Sequence, residues 1–236
     1  MINTLLIRMF LIVLSVFSFT NVSQAQVDDV VNYNENTLKY NLYGDPNLVL
    51  GNEFLEAGAY GQAKKYFEKA IEQDSLNPLA YENLGIVLKR LNDHKGILAC
   101  FKKGKRIFND KPDFFYFSGD ANQKLGNYAA AIKDYTDAIA ISGNASDVEL
   151  LYLYYFNRGN TYIKTRKYNQ AKKDFDQVIA LDPYHYGAFT NRGMAKYNLK
   201  DKAGACSDWG KAYEYGNSKT ITYLKKYCKE GKAGLN

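Results

Sequence analysis

Small and apolar residues return in a fixed order along most of this chain. The series runs Gly51, Ala63, Phe67, Ala70, and then Gly85, Ile97, Phe101, Gly104. It continues as Gly119, Ala131, Tyr135, Ala138, then Gly159, Ala171, Phe175, Val178, and ends with Gly193, Ala205, Trp209, Ala212. Within each copy the steps are 12, 4 and 3; between copies the leading glycine advances by 34, 34, 40 and 34 residues. Steps of 3 and 4 put side chains on one face of an α-helix, and a step of 12 that crosses a turn links two antiparallel helices. Glycine and alanine let two helix backbones approach, and the aromatic fills the space beside them. Turn signals fall midway through the copies, at Gly58-Ala59-Tyr60, Asn92-Asp93-His94, Gly126-Asn127-Tyr128 and Arg166-Lys167-Tyr168. All four prolines (Pro46, Pro78, Pro112 and Pro183) fall between copies. Asp45-Pro46 and Asn77-Pro78 have the order of a helix cap followed by a first-turn proline.

A 34-residue helix–turn–helix with these offsets resembles the tetratricopeptide-repeat (TPR) family. Tyr81-Glu82-Asn83-Leu84-Gly85 and Asn157 to Tyr162 are similar to the first helix of that repeat, and Ala171 to Pro183 to the second. The copies are placed at about 44–77, 78–111, 112–145, 152–185 and 186–217. The second departs most, with Ile97 and Gly104 where alanine is usual. The resemblance implies an all-α, right-handed superhelical TPR solenoid of five helix–turn–helix repeats, closed by a capping helix and tail within 218–236. One repeat cannot bury its apolar face alone, so stacking supplies the core and the ends need caps. Six extra residues stand between the third and fourth copies, where Ser146-Asp147-Val148-Glu149 has capping-box spacing. The expected result is a lengthened helix from Asp147 to Thr165; the alternative is a looser loop.

The ends differ from the repeats. In residues 1–25 the only charged side chain is Arg8, followed by the apolar run Met9 to Phe19 and by Ser23-Gln24-Ala25. That order reads as a signal peptide cut after Ala25, which places the chain in a periplasm or cell envelope; an uncleaved anchor is the alternative. Residues 26–43 are a flexible tether or an irregular cap. Cys206 and Cys228 each stand eleven residues from Asn217, the centre of the last turn. In an antiparallel hairpin they sit level, so an exported chain can bridge them; otherwise they are two small buried residues.

Composition narrows the function. The chain carries 31 Lys+Arg and 25 Asp+Glu, a net charge of +6, with the two signs interleaved. That is the pattern of a solvated helix face rather than of a nucleic-acid patch. No stretch after the leader is long and apolar enough to span a membrane. His94 and His185 stand at turns without ligand spacing, and the glycines are absorbed by helix contacts and turns. No catalytic, cofactor or metal site is expected, and the chain is read as a non-enzyme.

The resemblance assigns the inner face of each first helix to a ligand groove. On that face the partner-binding candidates are Asn52, Tyr116, Asp120, Phe156, Asn160, Met194 and Tyr197. Tyr116 and Phe156 occupy equivalent positions within dense aromatic clusters, in which Phe115 and Tyr155 have the core-facing phase. The two candidates either anchor a partner or pack internally. Asn52 and Asn160 stand where TPR peptide binders use an amide; Asn83, Asn157 and Asn191 fit structural helix–helix bonding. The basic clamp for terminal carboxylates is missing, with Leu48, Asp113, Tyr116 and Gly187 at its positions. The resulting expectation is a scaffold or adaptor for a protein or peptide segment. The alternatives are glycan or peptidoglycan binding through exposed aromatics, and self-assembly.

Overall fold

The computed structural model describes residues 45–143 and 150–228. The expected leader at 1–25, the segment 26–43 and the capping signal Ser146–Glu149 lie outside the described residues. Those described form eleven α-helices, with no strand among them. The helices are α1 (Pro46–Glu56), α2 (Tyr60–Gln73), α3 (Pro78–Arg90), α4 (His94–Ile107), α5 (Pro112–Lys124) and α6 (Tyr128–Ser142). They continue with α7 (Leu151–Lys164), α8 (Tyr168–Leu181), α9 (Tyr186–Asn198) and α10 (Lys202–Glu214). After a 3-10 turn at Ser218–Thr220 comes α11 (Ile221–Tyr227). Each expected copy is therefore a helix pair.

Local chemistry starts and stops these helices. Asp45 Oδ1 accepts from the Asn47 amide at 2.9 Å and Asn77 Oδ1 from the Leu79 amide at 3.1 Å, each before a first-turn proline. His185 caps α9 by accepting the Ala188 amide on Nδ1 at 3.0 Å. Between the helices of each pair one residue turns left-handed: Gly58, Asn92, Gly126, Arg166 and Lys200, with φ of 73°, 56°, 79°, 59° and 70°. A left-handed residue after the last helical turn ends a helix.

The chain forms two compact units, divided inside α4 between Cys100 and Phe101. In the first, Phe67 is fully buried against Gly51, where an added methyl would sit 2.5 Å from the ring. Leu50, Leu84 and Cys100 are buried there, and the Cys100 thiol donates to the Tyr81 carbonyl.

In the second unit the same contact recurs as Gly119 on Tyr135, Gly159 on Phe175 and Gly193 on Trp209. The aromatic clusters depart from the expected phase. Phe114 and Tyr154 are the buried rings, whereas Phe115 and Tyr155 are half-buried. At the interior position that Phe114 and Tyr154 fill, α9 carries the fully buried Ala188, and there the next residue, Phe189, is buried instead. A large ring at the first site takes the interior and turns its neighbour outward.

Two boundaries also differ. Helix α7 begins at Leu151, with Leu150 as its cap and no side-chain capping bond, later than the expected Asp147. The terminal cap opens with a 3-10 turn, and its α-helix is seven residues long. Trp209 stacks on Tyr223 at 5.2 Å and meets Tyr227 at 5.8 Å, so the cap covers the last repeat with aromatic rings. Cys206 and Cys228 are joined by a disulfide, with a Cα–Cα distance of 5.8 Å.

Candidate functional site

The expected groove residues divide by what they already touch. Tyr116 packs on Tyr154 at 5.2 Å, and its hydroxyl accepts from Asn157 Nδ2 at 3.3 Å. Phe156 lies against His185 at 4.7 Å and Phe175 at 5.9 Å. Both rings are half-buried and serve internal packing first. The carbonyl oxygen of Asn52 accepts from Asn83 Nδ2 at 2.8 Å, and that of Asn160 from Asn191 Nδ2 at 2.7 Å. Each of these Asn pairs joins the first helices of neighbouring copies, so the ligand-type and structural asparagines are the two halves of one bond. Asn157 breaks the series and turns to Tyr116 and to the Leu153 carbonyl.

Asp120 is half-buried and makes no hydrogen bond or ion pair among the described residues. Met194 is half-buried, while Tyr197 is 37% exposed at the edge of a stack with Tyr227 and Trp209. These candidates are spread over four helices: Asn52 on α1, Tyr116 and Asp120 on α5, Phe156 and Asn160 on α7, and Met194 and Tyr197 on α9.

A different set does converge. Arg158 of α7 donates through Nε and Nη2 to both oxygens of Asp174 in α8, at 2.9 and 2.8 Å, and through Nη1 to Thr136 in α6 at 3.0 Å. Its guanidinium lies over the rings of Tyr155 and Tyr162, at 5.5 and 5.9 Å. These groups floor a cleft of about 620 Å³, with the exposed Lys173, Gln170 and Gln177 at its rim. In the next copy Arg192 forks onto Asp208 at 2.8 and 2.7 Å and reaches back to Asp176 at 2.8 Å. In the third copy the buried Asp134 accepts from Ser118 at 2.7 Å, from Asn122 at 2.9 Å and from Lys105.

Sequence reasoning missed this system, although its signal is a constant separation of 16 residues between the Ser or Arg and its aspartate. Burial pushes the Asp174 carboxyl upward, and the Arg158 bonds and charge offset only part of that. Burial lowers Arg158, and the bonds and charge of Asp174 together with the neighbouring Tyr162 and Tyr155 more than restore it, leaving it raised. With the carboxylate 5% exposed, the desolvation cost carries more weight: the pair fixes geometry more than it adds stability.

Among the described residues no three His, Cys, Asp or Glu side chains gather as a metal site would need, and no helix is long and apolar enough to cross a membrane. Tetratricopeptide-repeat profiles match residues 48–96, 112–144 and 152–185. Tetratricopeptide repeat protein 6 of Homo sapiens is 27% identical over 158 residues, covering 67% of this chain and 29% of the relative. DnaJ homolog subfamily C member 7 of Homo sapiens is 28% identical over 162 residues, covering 68% and 30%. The chain thus spans about 30% of the length of these curated relatives. Among solved structures, YrrB is described as a TPR protein with an unusual peptide-binding site; it aligns with a TM-score of 0.67 at 22% identity, over 82% of this chain and 97% of its own. The MamA protein aligns at 0.66 and 19%, over 80% and 96%. At these identities the two structures speak for the fold alone.

Proposed function

We propose, on the premise that the chain belongs to the tetratricopeptide-repeat family, that it is a non-catalytic scaffold or adaptor of the cell envelope. It holds a segment of another protein along the first-helix faces that the family uses as its groove. One observation carries this reading. Leu79 and Ile86 stand seven residues apart on α3, hence on one face, and are 54% and 47% exposed. Apolar side chains left on a groove face are what a partner's apolar side chains cover. The likeness to YrrB, described as having a peptide-binding site, supports the same reading.

The test places a photo-crosslinking amino acid at Ile86, and separately at Met194, in the exported protein. Crosslinks to a protein from the same envelope are expected at both positions. Absence of any protein adduct at either would overturn the adaptor. Tyr184 and Tyr186, 71% and 53% exposed, favour glycan stacking as a second reading. Retention on purified cell-wall polysaccharide, lost on replacing both by alanine, would support it. A mass that rises with concentration would point to self-assembly. The envelope location rests on Arg8, the Met9–Phe19 run and Ser23-Gln24-Ala25. A mature protein beginning at Gln26 is the expected mass-spectrometric result.

A further inference from the structure

Most of the chain interleaves its two signs of charge, and α4 does not. It carries five Lys or Arg side chains and no Asp or Glu, whereas α2, α6, α8 and α10, the other second helices, each carry both signs. Its exposed residues are Lys95, Ala99, Lys102, Lys103 and Arg106, four cations and an alanine. Their spacing puts them on one helix face, in a stripe roughly 16 Å long. The other side of α4 is in the core, where Ile97, Cys100 and Phe101 are buried. On the surfaces of α2, α6 and α8 an ion pair one turn long balances the charge: Lys64 with Glu68, Lys133 with Asp137, and Lys172 with Asp176. On α4, Lys105 turns inward to Asp134. Lys102, Lys103 and Arg106 have no side-chain hydrogen bond or ion pair among the described residues.

Like charges one turn apart weaken a helix, so the stripe is a cost to α4. The helix dipole offsets that cost for Arg106 in the last turn, and not for Lys95 or Lys102. A stripe of one sign is matched by an occupant that carries the other sign along its whole length. Lysine is depleted where proteins bind proteins. With Phe101 buried, the stripe offers no ring for a nucleic-acid base to stack on. Lysine clusters do hold anionic lipid headgroups, each cation adding to the attraction from outside the bilayer. We propose that the exposed face of α4, through Lys102, Lys103 and Arg106 of the second unit, docks on an anionic phospholipid surface. The contact is adsorption rather than insertion, because the core already takes the apolar side of α4. It rests on the envelope part of the reading above and adds a membrane-facing side to the scaffold.

The test is co-sedimentation of the exported protein with vesicles of equal parts phosphatidylglycerol and phosphatidylcholine, beside vesicles of phosphatidylcholine alone. Binding to the first and not to the second is expected, falling as salt rises. The triple variant Lys102→Ala, Lys103→Ala, Arg106→Ala is expected to weaken binding about a hundredfold, roughly fivefold per cation. Alanine is the best helix former, so an unchanged circular dichroism spectrum separates that loss from unfolding. A second triple variant, Lys167→Ala, Lys200→Ala, Lys219→Ala, removes the same charge from turns elsewhere and is expected to weaken binding by less than about tenfold. Equal losses in the two variants would assign the attraction to net charge and overturn the α4 stripe. Binding to both kinds of vesicle, or to neither, would also overturn it. Displacement of the vesicles by a glutamate oligomer or an oligothymidylate, at equal concentration of charge, would assign the stripe to an acidic protein or a nucleic acid and overturn the lipid surface. Crosslinking at Ile86 and Met194 tests the groove and the mass at Gln26 tests export, so each reading fails separately.

Discussion

Arg166 and Lys200 hold φ of 59° and 70°, a conformation that costs a residue with a Cβ roughly 1 kcal/mol and glycine almost nothing. Gly58 and Gly126 show the chain's own remedy at equivalent turns. Arg166→Gly and Lys200→Gly are each expected to raise unfolding stability by about 0.5–1 kcal/mol, as read from denaturant midpoints. Gly159 has the opposite demand. A methyl there would sit 2.9 Å from the Phe175 ring, so Gly159→Ala should cost about 1–3 kcal/mol despite alanine's better helix propensity. Both demands were legible as punctuation, because the turns and the packing glycine recur in phase. The buried partner within each aromatic cluster was not. Phe114 and Phe115 are alike in chemistry, and only the size of the neighbouring interior site decides which one turns inward.

Between elements, the polar pairs that hold α7 to α8 and α9 to α10 have apolar counterparts in the same chain. Where the fourth copy uses Arg158 and Asp174, the first uses Leu50 and Tyr66 and the second Leu84 and Cys100, all four of them buried. Asp174→Ala should therefore cost about 3–5 kcal/mol, because it leaves the Arg158 guanidinium, only 15% exposed, without its carboxylate. The double variant Arg158→Leu, Asp174→Cys should recover most of that loss under reducing conditions. A double variant as unstable as the single one would show that the pair does more than occupy space. The alternation was present in the sequence and went unread, because a lone aspartate on a helix resembles surface charge until its partner sixteen residues earlier is counted with it. The Asn pairs were half read. Their helix positions were visible, but the bond between Asn52 and Asn83 depends on the approach of neighbouring copies, which no single copy contains.

For the chain as a whole, the buried phenols set an alkaline limit. Burial raises Tyr116, Tyr135 and Tyr154 above their ordinary 10.0, so the folded state holds these protons more tightly than the unfolded state. The stability they contribute is complete below pH 10 and is lost as pH rises through their raised values. Helical signal and tyrosinate absorbance should change together above pH 10; early tyrosinate formation without helix loss would show that these rings are accessible. The disulfide closes a loop of 22 residues, so Cys206→Ala, Cys228→Ala should lower stability by about 3 kcal/mol, measured against the untreated chain. The fold class was the most legible layer, since five copies in phase leave one periodicity to satisfy. The candidate partner-binding face was the least legible, because exposure depends on which neighbour takes each side chain first.

Trp209 is the only tryptophan in the chain, and it lies between Tyr197 of the last repeat and Tyr223 and Tyr227 of the cap. An indole stacked on phenols, in a helix that Cys206 ties to Cys228, emits according to whether that layer stays closed. The chain thus carries its own fluorophore at its C-terminal edge. Peeling of α11 can be followed by emission alone, without a label and without disturbing the repeats before it.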